Sequence, residues 1–256
     1  MIEQVKNIVL EAAKIMLNDG SFVVEEKDGA TNLVTSNDVA VQAFLQKELS
    51  AFMPNSSFLC EEGDVKDLSK DYVWIIDPID GTTNYARHIT VCAISVALEH
   101  KGEIILGVVY NPYQKMLFEA EKDKGALLNG NPIHVSNKSM KECVLYTAFS
   151  AYEKSKSHNA FAFAEAIFPE VNDLRRTGSA AFEICSVAAG RGDLFLELKL
   201  QPWDYAAASL IVKEAGGCIS DLDGNDVPFD KPSMVIVGNS LENKEALRKR
   251  ASHYFK

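Results

Sequence analysis

Two aspartates stand close together where an apolar run ends abruptly. Residues 73–76 read VWII and residues 77–81 read DPIDG. The run predicts a strand buried on both faces. Proline fixes φ and lacks an amide donor, and glycine permits a tight turn, so the chain should turn at this point. Asp77 and Asp80 should therefore meet at a strand end, where two carboxylates repel each other unless a cation or a proton separates them. This spacing is the first indication of a metal site.

Acidic residues from other segments could complete such a site. Glu61 and Glu62 follow a predicted short strand, and Asp204 stands directly before a predicted helix. Each has an ordinary explanation when taken alone, as a solvated pair or as a helix N-cap. Taken together, carboxylates without His or Cys partners favour a hard cation such as Mg²⁺ over zinc. Carboxylates from several segments suggest two or more ions, which could clamp the attacking and leaving oxygens of phosphoryl transfer.

Asp38 is a further acid whose position follows from helix patterning. A helix is predicted from about residue 36 to 51, and Thr35 is a good N-cap, so Asp38 occupies the third helical position. The helix dipole alone favours an acid in a first turn. The residue type therefore leaves a functional role open.

Several motifs in order resemble those of the inositol monophosphatase family, and together they span nearly the whole chain. They are WIIDPIDGTTN at 74–84, WDYAAA at 203–208 with EAGG at 214–217, the pair Glu61-Glu62 upstream, Leu33-Val34-Thr35 with Asp38, and GSAA at 178–181. The resemblance implies a layered αβαβα sandwich of the sugar-phosphatase type, of the α+β or α/β class. It also implies a Mg²⁺-dependent, lithium-sensitive phosphatase that is usually dimeric.

The resemblance assigns metal ligands and catalytic groups. The implied ligands of two Mg²⁺ ions are Glu61, Asp77, the backbone carbonyl of Ile79, Asp80 and Asp204. A weaker third ion would rely on Glu61 and water, and the alignment favours Glu61 over Glu62 as the direct ligand. Thr82, hydrogen-bonded to Asp38, would orient and help deprotonate the attacking water, so Thr82, Asp38 and Glu61 form the expected catalytic set.

The resemblance also assigns residues to the two ends of the substrate. The amides of Gly81 and Thr82 would face the phosphate, which agrees with the anion nest that amides form after a tight turn. The residues implied on the alcohol side are Asp80, Glu197, Ala180 and Ser150. A carboxylate such as Glu197 is a strong acceptor for polyol hydroxyls. Lys27, on a predicted loop, resembles the family's basic residue near the third metal.

The order of predicted elements divides the chain near residue 140. Two helices and then a run of strands predict an α+β subdomain over residues 1–140, which carries the metal motif. Strands and helices alternate afterwards, so residues 141–256 are predicted to form an α/β subdomain that completes the active site.

Composition restricts the class of protein. The formal net charge of the 256 residues is −10, which argues against nucleic-acid binding by a general basic surface. No apolar run approaches about 18 residues, and the N-terminus lacks a signal-peptide pattern. The five cysteines are scattered without CxxC spacing, as in reduced cytoplasmic proteins. We therefore expect a cytoplasmic protein with no membrane partner.

The expected activity is hydrolysis of inositol monophosphate by a metal-activated water, with a phosphate ester of a polyol as substrate and a homodimer as the assembly. Related superfamily activities are the alternatives: fructose-1,6-bisphosphatase, phosphoadenosine-phosphate phosphatase, histidinol-phosphate phosphatase and NADP phosphatase. An alternative of another class is a regulatory protein-binding role, because some bacterial relatives bind transcription machinery.

Overall fold

Seven α-helices and fourteen strands make up the described part of the chain. A computed structural model describes residues 1–18, 22–26, 33–63, 70–149 and 154–256. The α-helices are α1 (Ile2–Leu17), α2 (Ser36–Phe52), α3 (Thr82–Ala86), α4 (Ser157–Ile167), α5 (Ala180–Ala188), α6 (Pro202–Glu214) and α7 (Leu241–Phe255). The strands are β1 (Val24–Glu26), β2 (Leu33–Thr35), β3 (Ser57–Cys60), β4 (Tyr72–Asp80), β5 (Ala93–His100), β6 (Glu103–Asn111), β7 (Met116–Glu121), β8 (Ala126–Leu128), β9 (Asn131–Pro132), β10 (Val144–Thr147), β11 (Asp173–Arg175), β12 (Leu194–Leu200), β13 (Cys218–Ser220) and β14 (Ser233–Gly238).

The first half of the chain builds a seven-stranded sheet in the order β3-β4-β5-β6-β7-β8-β9. Strand β3 is parallel to β4, and the following neighbours are antiparallel. Short connections suffice for the antiparallel neighbours, whereas the parallel pair needs a longer crossover. The antiparallel meander predicted after the central motif is therefore confirmed.

The second half builds a five-stranded sheet in the order β11-β10-β12-β14-β13. Strand β10 is parallel to both β11 and β12, so three adjacent strands end at the same edge of the sheet. Strands β12 and β13 are antiparallel to β14. The parallel part is where ligands bind in open α/β sheets, at the carboxyl ends of the strands.

The strand β4 shows how the layers pack. Its buried side chains alternate: Val73 and Ile75 pack with residues of α5 and α6, and Trp74 and Ile76 pack with residues of α1 and α2. Both faces are therefore buried, as the apolar run predicts. Helices α5 and α6 also contact the inner face of the second sheet through Phe195.

Helices α4 and α7 cover the outer face of the five-stranded sheet. Phe163 of α4 and Leu247 of α7 pack with Leu145 and Ile236 of that sheet. The layers are thus α1/α2, the seven-stranded sheet, α5/α6, the five-stranded sheet and α4/α7. The predicted αβαβα sandwich is confirmed.

The two sheets divide the chain at the place where the sequence changes pattern, yet helices of the second half lie against both sheets. The division into subdomains 1–140 and 141–256 stays a prediction. Within the described ranges, no helix combines the length and the apolar character needed to cross a bilayer.

Candidate active site

The turn at the end of β4 carries the two closely spaced aspartates. Asp77 is 2% and Asp80 is 7% exposed, so both carboxyl groups lie inside the protein. The pairing of β4 with β5 shifts register between them, next to Pro78, which has no amide hydrogen for the ladder. The backbone amide of Ile79 donates to Asp77 Oδ1 at 3.0 Å. The irregularity thus falls between the two acids, while Asp77 and Asp80 themselves still pair with Ser95 and Ala93 of β5.

Gly81 allows this turn to approach a second segment of the chain. Its φ is +91°, in the left-handed region, and it is the N-cap of the short helix α3. A Cβ at this position would lie 3.0 Å from the carbonyl oxygen of Gly178 and 3.1 Å from that of Val91. Both the backbone conformation and the close approach therefore require glycine.

Glu61 reaches Asp77 through the parallel pairing of β3 with β4. Cys60 pairs with Ile76, and the amide of Glu61 donates to the Ile76 carbonyl at 3.2 Å. The Glu61 and Asp77 carboxyl groups therefore lie close enough for Glu61 to affect the pKa of Asp77. Burial raises the pKa of Asp77 well above its usual range, and the neighbouring carboxylate of Glu61 raises it further.

Asp80 is bound at the N-terminus of α5. The Ser179 hydroxyl donates to Asp80 Oδ2 at 2.5 Å, and the amides of Ala180 and Ala181 donate to its two oxygens at 3.1 and 2.8 Å. Burial raises the pKa of Asp80 to about 7, against the lowering effect of these donors and with a further increase from Glu183. The contact joins the first sheet to a helix of the second half, roughly a hundred residues later.

Asp204 stands at the N-terminus of α6 and lines the same cavity as Asp80. The helix begins at Pro202, three residues earlier than the predicted start at Tyr205, and Gln201 is its N-cap. Asp204 is therefore the third helical residue, and its Oδ2 accepts the Gln201 amide at 2.7 Å. Burial raises the pKa of Asp204 well above its usual range, with further increases from Asp80 and Glu61.

The oxygen ligands that Glu61, Asp77, Asp80 and Asp204 could offer to a metal fit a hard divalent cation. They are carboxylate oxygens, and burial with mutual repulsion raises the pKa of Asp77, Asp80 and Asp204. A cation would relieve both effects. Among the described residues, no three Asp, Glu, His or Cys side chains are already arranged to hold one ion. The carboxylates of Glu61, Asp80 and Asp204 are nevertheless close enough to Asp77 for each to raise its pKa.

Asp38 and Thr82 meet beside these acids. Asp38 is the third residue of α2 and forms a capping box with Thr35, whose amide donates to Asp38 Oδ2 at 2.8 Å. The Thr82 hydroxyl lies 3.2 Å from Asp38 Oδ1 and 3.1 Å from the Ile79 carbonyl oxygen, so it can donate to either. Burial raises the pKa of Asp38 to about 6. The catalytic roles of Thr82 and Asp38 stay predictions.

A cavity of about 700 Å³ opens beside the turn, a size typical of small-molecule sites. It brings together the predicted site residues Asp80, Gly81, Ala180, Glu197 and Asp204. The remaining lining residues are Thr83, Asn84, Ile89, Val91, Ala148, Arg176, Thr177, Gly178, Ser179, Glu183 and Leu200. The cavity therefore runs from the β4 turn to the carboxyl ends of the parallel strands of the second sheet.

Glu197 lies on β12, at the side of the cavity formed by the second sheet. Burial raises its pKa to about 8, with further increases from the carboxylates of Glu183 and Asp80. A carboxyl group in this state can accept or donate a hydrogen bond to a hydroxyl. Its assignment to the alcohol side stays a prediction.

Two buried residues that the sequence does not single out fix the segment against which Gly81 packs. The Asn84 amide group donates to the carbonyls of Val91 and Thr177, each at 2.7 Å. Glu183 accepts hydrogen bonds from the Thr177 amide, from the Thr177 hydroxyl at 2.8 Å and from the Gly178 amide at 3.1 Å. Thr177 is thus held from both sides. Asn84 lies within the 74–84 motif, but Glu183 carries no sequence signal of its role.

Three predicted positions are less informative. Lys27 and Ser150 lie outside the described residues. The backbone of Glu62 is fastened to α2, because its amide donates to Gln42 Oε1 at 2.9 Å and its carbonyl accepts from Gln42 Nε2. This fixes the segment that presents Glu61.

Comparison with known proteins places the chain among phosphatases. It is 37% identical to Nus factor SuhB of Escherichia coli K12 over 219 residues. The matched region covers 85% of this chain and 82% of that protein. It is 36% identical over 222 residues to inositol-1-monophosphatase of Mesorhizobium japonicum, covering 86% and 83%. The solved structure of a Thermotoga maritima IMPase superposes with a TM-score of 0.87 at 33% identity, covering 98% of this chain and 95% of the other.

The family model agrees with these individual matches. The model described as the inositol monophosphatase family matches residues 1–254. This match, with the motifs and the layered fold already described, leads to one conclusion: the chain belongs to the inositol monophosphatase family.

Proposed function

We propose that this chain is a Mg²⁺-dependent phosphomonoesterase that hydrolyses inositol monophosphate to inositol and phosphate. Membership in the inositol monophosphatase family supports a phosphatase, and the Mesorhizobium relative named inositol-1-monophosphatase supports the substrate. The observation that carries the proposal is the Thr82 hydroxyl, within hydrogen-bond distance of Asp38 and next to the buried carboxylates. Thr82 directly follows Asp80 and Gly81, which line the cavity, so this nucleophile-orienting pair stands beside the cavity in the same turn as part of the oxygen-donor group.

The residues proposed to hold two to three Mg²⁺ ions are Glu61, Asp77, the Ile79 carbonyl, Asp80 and Asp204. When bound, Mg²⁺ would neutralise the negative charge that develops on the phosphoryl group and on the leaving oxygen. Burial and the neighbouring Glu61 carboxylate raise the pKa of Asp77, so metal binding here would favour the loss of a proton from this acid. The family is generally Mg²⁺-dependent, which supports this choice of ion.

Thr82 and Asp38 are proposed to manage the proton of the attacking water. The Thr82 hydroxyl can accept a hydrogen bond from water while donating to Asp38, which orients the water oxygen toward phosphorus. As the new P–O bond forms, the water proton passes through Thr82 to the Asp38 carboxylate, and the ester P–O bond breaks. A pKa of about 6 suits Asp38 to general-base catalysis near neutral pH. The leaving oxygen takes its proton from solvent.

The remaining assignments follow the two ends of the ester. The amides of Gly81 and Thr82 are proposed to bind the phosphate, since Gly81 lines the cavity without a side chain. Glu197, Ala180 and Asp80 are proposed to face the alcohol. Homodimer formation and inhibition by lithium come from the family resemblance and belong to the same proposal.

The proposal is tested by hydrolysis of inositol 1-phosphate with Mg²⁺ and with EDTA. The same assay with fructose 1,6-bisphosphate, phosphoadenosine phosphate, histidinol phosphate and NADP ranks the alternative substrates. Thr82→Val should lower kcat by ~10²–10⁴-fold, the usual contribution of general acid–base catalysis, with little change in KM. Thr90→Val, at an exposed threonine outside the cavity lining, is the matched control and should retain activity. Hydrolysis that is independent of Mg²⁺, or a fully active Thr82→Val variant, would contradict the proposal.

A regulatory role is the second candidate, because a relative at 37% identity is named Nus factor SuhB. The two roles can be separated with the Thr82→Val variant. If this variant loses hydrolysis but still replaces the wild-type chain in a regulatory assay, the regulatory role does not depend on catalysis.

A further inference from the structure

Helix α2 presents a row of polar side chains to the segments that carry the site. Asp38, Gln42 and Gln46 recur every four residues, so they lie on one face of the helix. The residues that they contact are, in the same order, Thr82, Glu62 and Cys60. Asp38 has a role in the proposed proton transfer, whereas the hydrolytic steps do not use Gln42.

An adjacent row of apolar side chains holds α2 on the seven-stranded sheet. Val41, Leu45 and Leu49 are fully buried, and they pack in one cluster with Trp74 and Ile76 of β4. Close packing of this kind resists displacement. The polar row of α2 therefore offers a fixed position to the segments that it contacts.

Gln42 binds the backbone of Glu62 through both polar atoms of its side chain. The Glu62 amide donates to Gln42 Oε1 at 2.9 Å, and the Glu62 carbonyl accepts a hydrogen bond from Gln42 Nε2. A residue of a neighbouring antiparallel strand would exchange two hydrogen bonds in the same way. Gln42 is only 7% exposed, so both hydrogen bonds form in a largely dry environment, where they are stronger than in water.

This contact lies just beyond the end of strand β3. The pairing of β3 with β4 ends at Cys60 and Ile76, and one further hydrogen bond joins the Glu61 amide to the Ile76 carbonyl at 3.2 Å. Gln42 then holds the next residue, Glu62. The backbone is therefore fixed on both sides of the Glu61 side chain, on one side by β4 and on the other by α2.

Order in this segment affects how a cation can bind. Among the acids proposed as Mg²⁺ ligands, Asp77 and Asp80 lie within β4 and Asp204 lies within α6, whereas Glu61 follows the last residue of β3. A flexible segment loses conformational freedom when its side chain binds a ligand, and this loss weakens binding. A segment that is already ordered loses less.

We propose that Gln42 is a positioning residue for metal binding, which orders the Glu61 segment before Mg²⁺ binds and so raises the affinity of the protein for Mg²⁺. This inference rests on the assignment of Glu61 as a Mg²⁺ ligand in the proposed function. Gln42 acts through the backbone of Glu62 and not by contact with the ion.

The test is calorimetric titration of Mg²⁺ into the metal-free protein, with Gln42→Met as the variant. Methionine is unbranched and flexible like glutamine, but it cannot bind the Glu62 amide and carbonyl. The Kd for Mg²⁺ should rise by about 10–100-fold, the usual effect of removing a group that orients a metal ligand. The Mg²⁺ concentration for half-maximal hydrolysis should rise in parallel. At saturating Mg²⁺, kcat should change little, because the bound ion then holds Glu61 in place.

Two control variants on the same helix separate this role from general stability. Gln46→Met makes the same change one turn further along the polar row, where the partner is the Cys60 thiol at 3.3 Å, and it should keep the wild-type Kd. Leu45→Ala removes a fully buried side chain and should lower the Tm, but it leaves the Gln42 contact intact and should also keep the wild-type Kd. The Glu62 amide should exchange its hydrogen faster in Gln42→Met than in either control.

An unchanged Kd for Mg²⁺ in Gln42→Met overturns the inference. An equal rise of the Kd in Leu45→Ala also overturns it, because any loosening of α2 would then weaken binding. If Gln42→Met does not fold, Gln42→Asn takes its place. Asparagine keeps the amide group but is one methylene shorter, so the Kd should again rise, and an unchanged Kd again overturns the inference.

Failure of the proposed function gives different results. A wild-type chain that binds Mg²⁺ but hydrolyses no ester contradicts the proposed hydrolysis alone, and the Kd values still decide about Gln42. A wild-type chain that binds no Mg²⁺ contradicts the proposed metal site, and the positioning role of Gln42 is then excluded with it.

Discussion

Replacing Asp80 by asparagine should stabilise the metal-free protein while removing its function. Asp80 is buried, and its pKa of about 7 lies roughly three units above the ordinary value of 3.8. Burial is the main cause, and the Ser179 hydroxyl and two amides of α5 only partly offset it. An asparagine has nearly the same shape as the protonated acid and carries no charge. It therefore avoids the cost of ionising this group inside the protein.

The sign and size of the effect follow from the two pKa values. Between pH 3.8 and 7 the folded state holds a proton on Asp80 that the unfolded state has released. Stability therefore falls as pH rises through this window. Three units at about 1.36 kcal/mol each give ~4 kcal/mol above pH 7. Asp80→Asn should not lose this stability. Each kcal/mol shifts the Tm of a chain of this size by roughly 2–4 °C, so the Tm of the variant at pH 8 should be about 8–16 °C higher than that of the wild type.

The assay is thermal unfolding in EDTA at pH 5 and pH 8, followed by titration with Mg²⁺. At pH 8 the metal-free variant should unfold at the higher temperature, and at pH 5 the difference should shrink to roughly 1.6 kcal/mol, because pH 5 lies only about 1.2 units above the ordinary pKa of 3.8. Mg²⁺ should raise the Tm of the wild type more than that of the variant, because a ligand that binds only the folded state stabilises it. Hydrolysis should be lost in the variant.

Asp193→Asn is the matched control. Asp193 is also fully buried, but it accepts hydrogen bonds from the Ser136 hydroxyl and, at 2.7 Å, from the Val144 amide, with Lys138 at 3.8 Å. These two donors and the Lys138 charge stabilise the carboxylate of Asp193, so the same substitution should destabilise the protein at both pH values. An Asp80→Asn variant that is less stable than the wild type at pH 8 in EDTA, with an unchanged pH dependence, would refute the reasoning.

Two further predictions concern the turn and the alcohol side. Gly81→Ala should destabilise the protein by ~1–3 kcal/mol and impair hydrolysis, because the left-handed backbone and the carbonyls at 3.0 and 3.1 Å oppose a Cβ. Gly125→Ala, with φ of +80° and open space around its Cβ, carries only the backbone cost and should keep activity; equal Tm losses in the two variants would remove the close-approach argument. Glu197→Ala should lower kcat/KM for inositol 1-phosphate more than for a nonspecific aryl phosphate, and equal losses would exclude Glu197 from the alcohol side.

Features that depend on neighbours in sequence could be predicted from the chain alone. The N-cap at Thr35 and the position of Asp38 as the third helical residue are confirmed, since they depend only on residues within one helical turn. The turn after β4 is likewise a local consequence of its proline and glycine. The predicted start of α6 is wrong. The sequence pattern puts Trp203 and Asp204 before the helix, whereas Pro202 already occupies its first turn.

Features that depend on distant packing could not be predicted in this way. The hydrogen bonds from Asn84 to Thr177, and from Ser179 to Asp80, join residues more than ninety positions apart. Glu183 resembles any acid within a helix until Thr177 and Gly178 are seen to donate to it. The cation at Arg176 could not be distinguished from Arg175 by sequence, because only the strand register and the ion pair with Asp173 separate them.

The two sheets contribute unequally to the cavity, and this affects how such proteins can diverge. The β4 turn with its acids belongs to the first sheet, while Glu197 and Arg176 belong to or follow strands of the second. Under the proposed assignment of Glu197 to the alcohol side, mutations at the carboxyl ends of β11 and β12 would alter which alcohol is accepted and leave the acids of the β4 turn intact. Duplicated genes could acquire new substrates through the second sheet while the first remains under constraint. An exchange of the five-stranded sheet between relatives would carry substrate choice with it, but the exchanged part must retain Asp204.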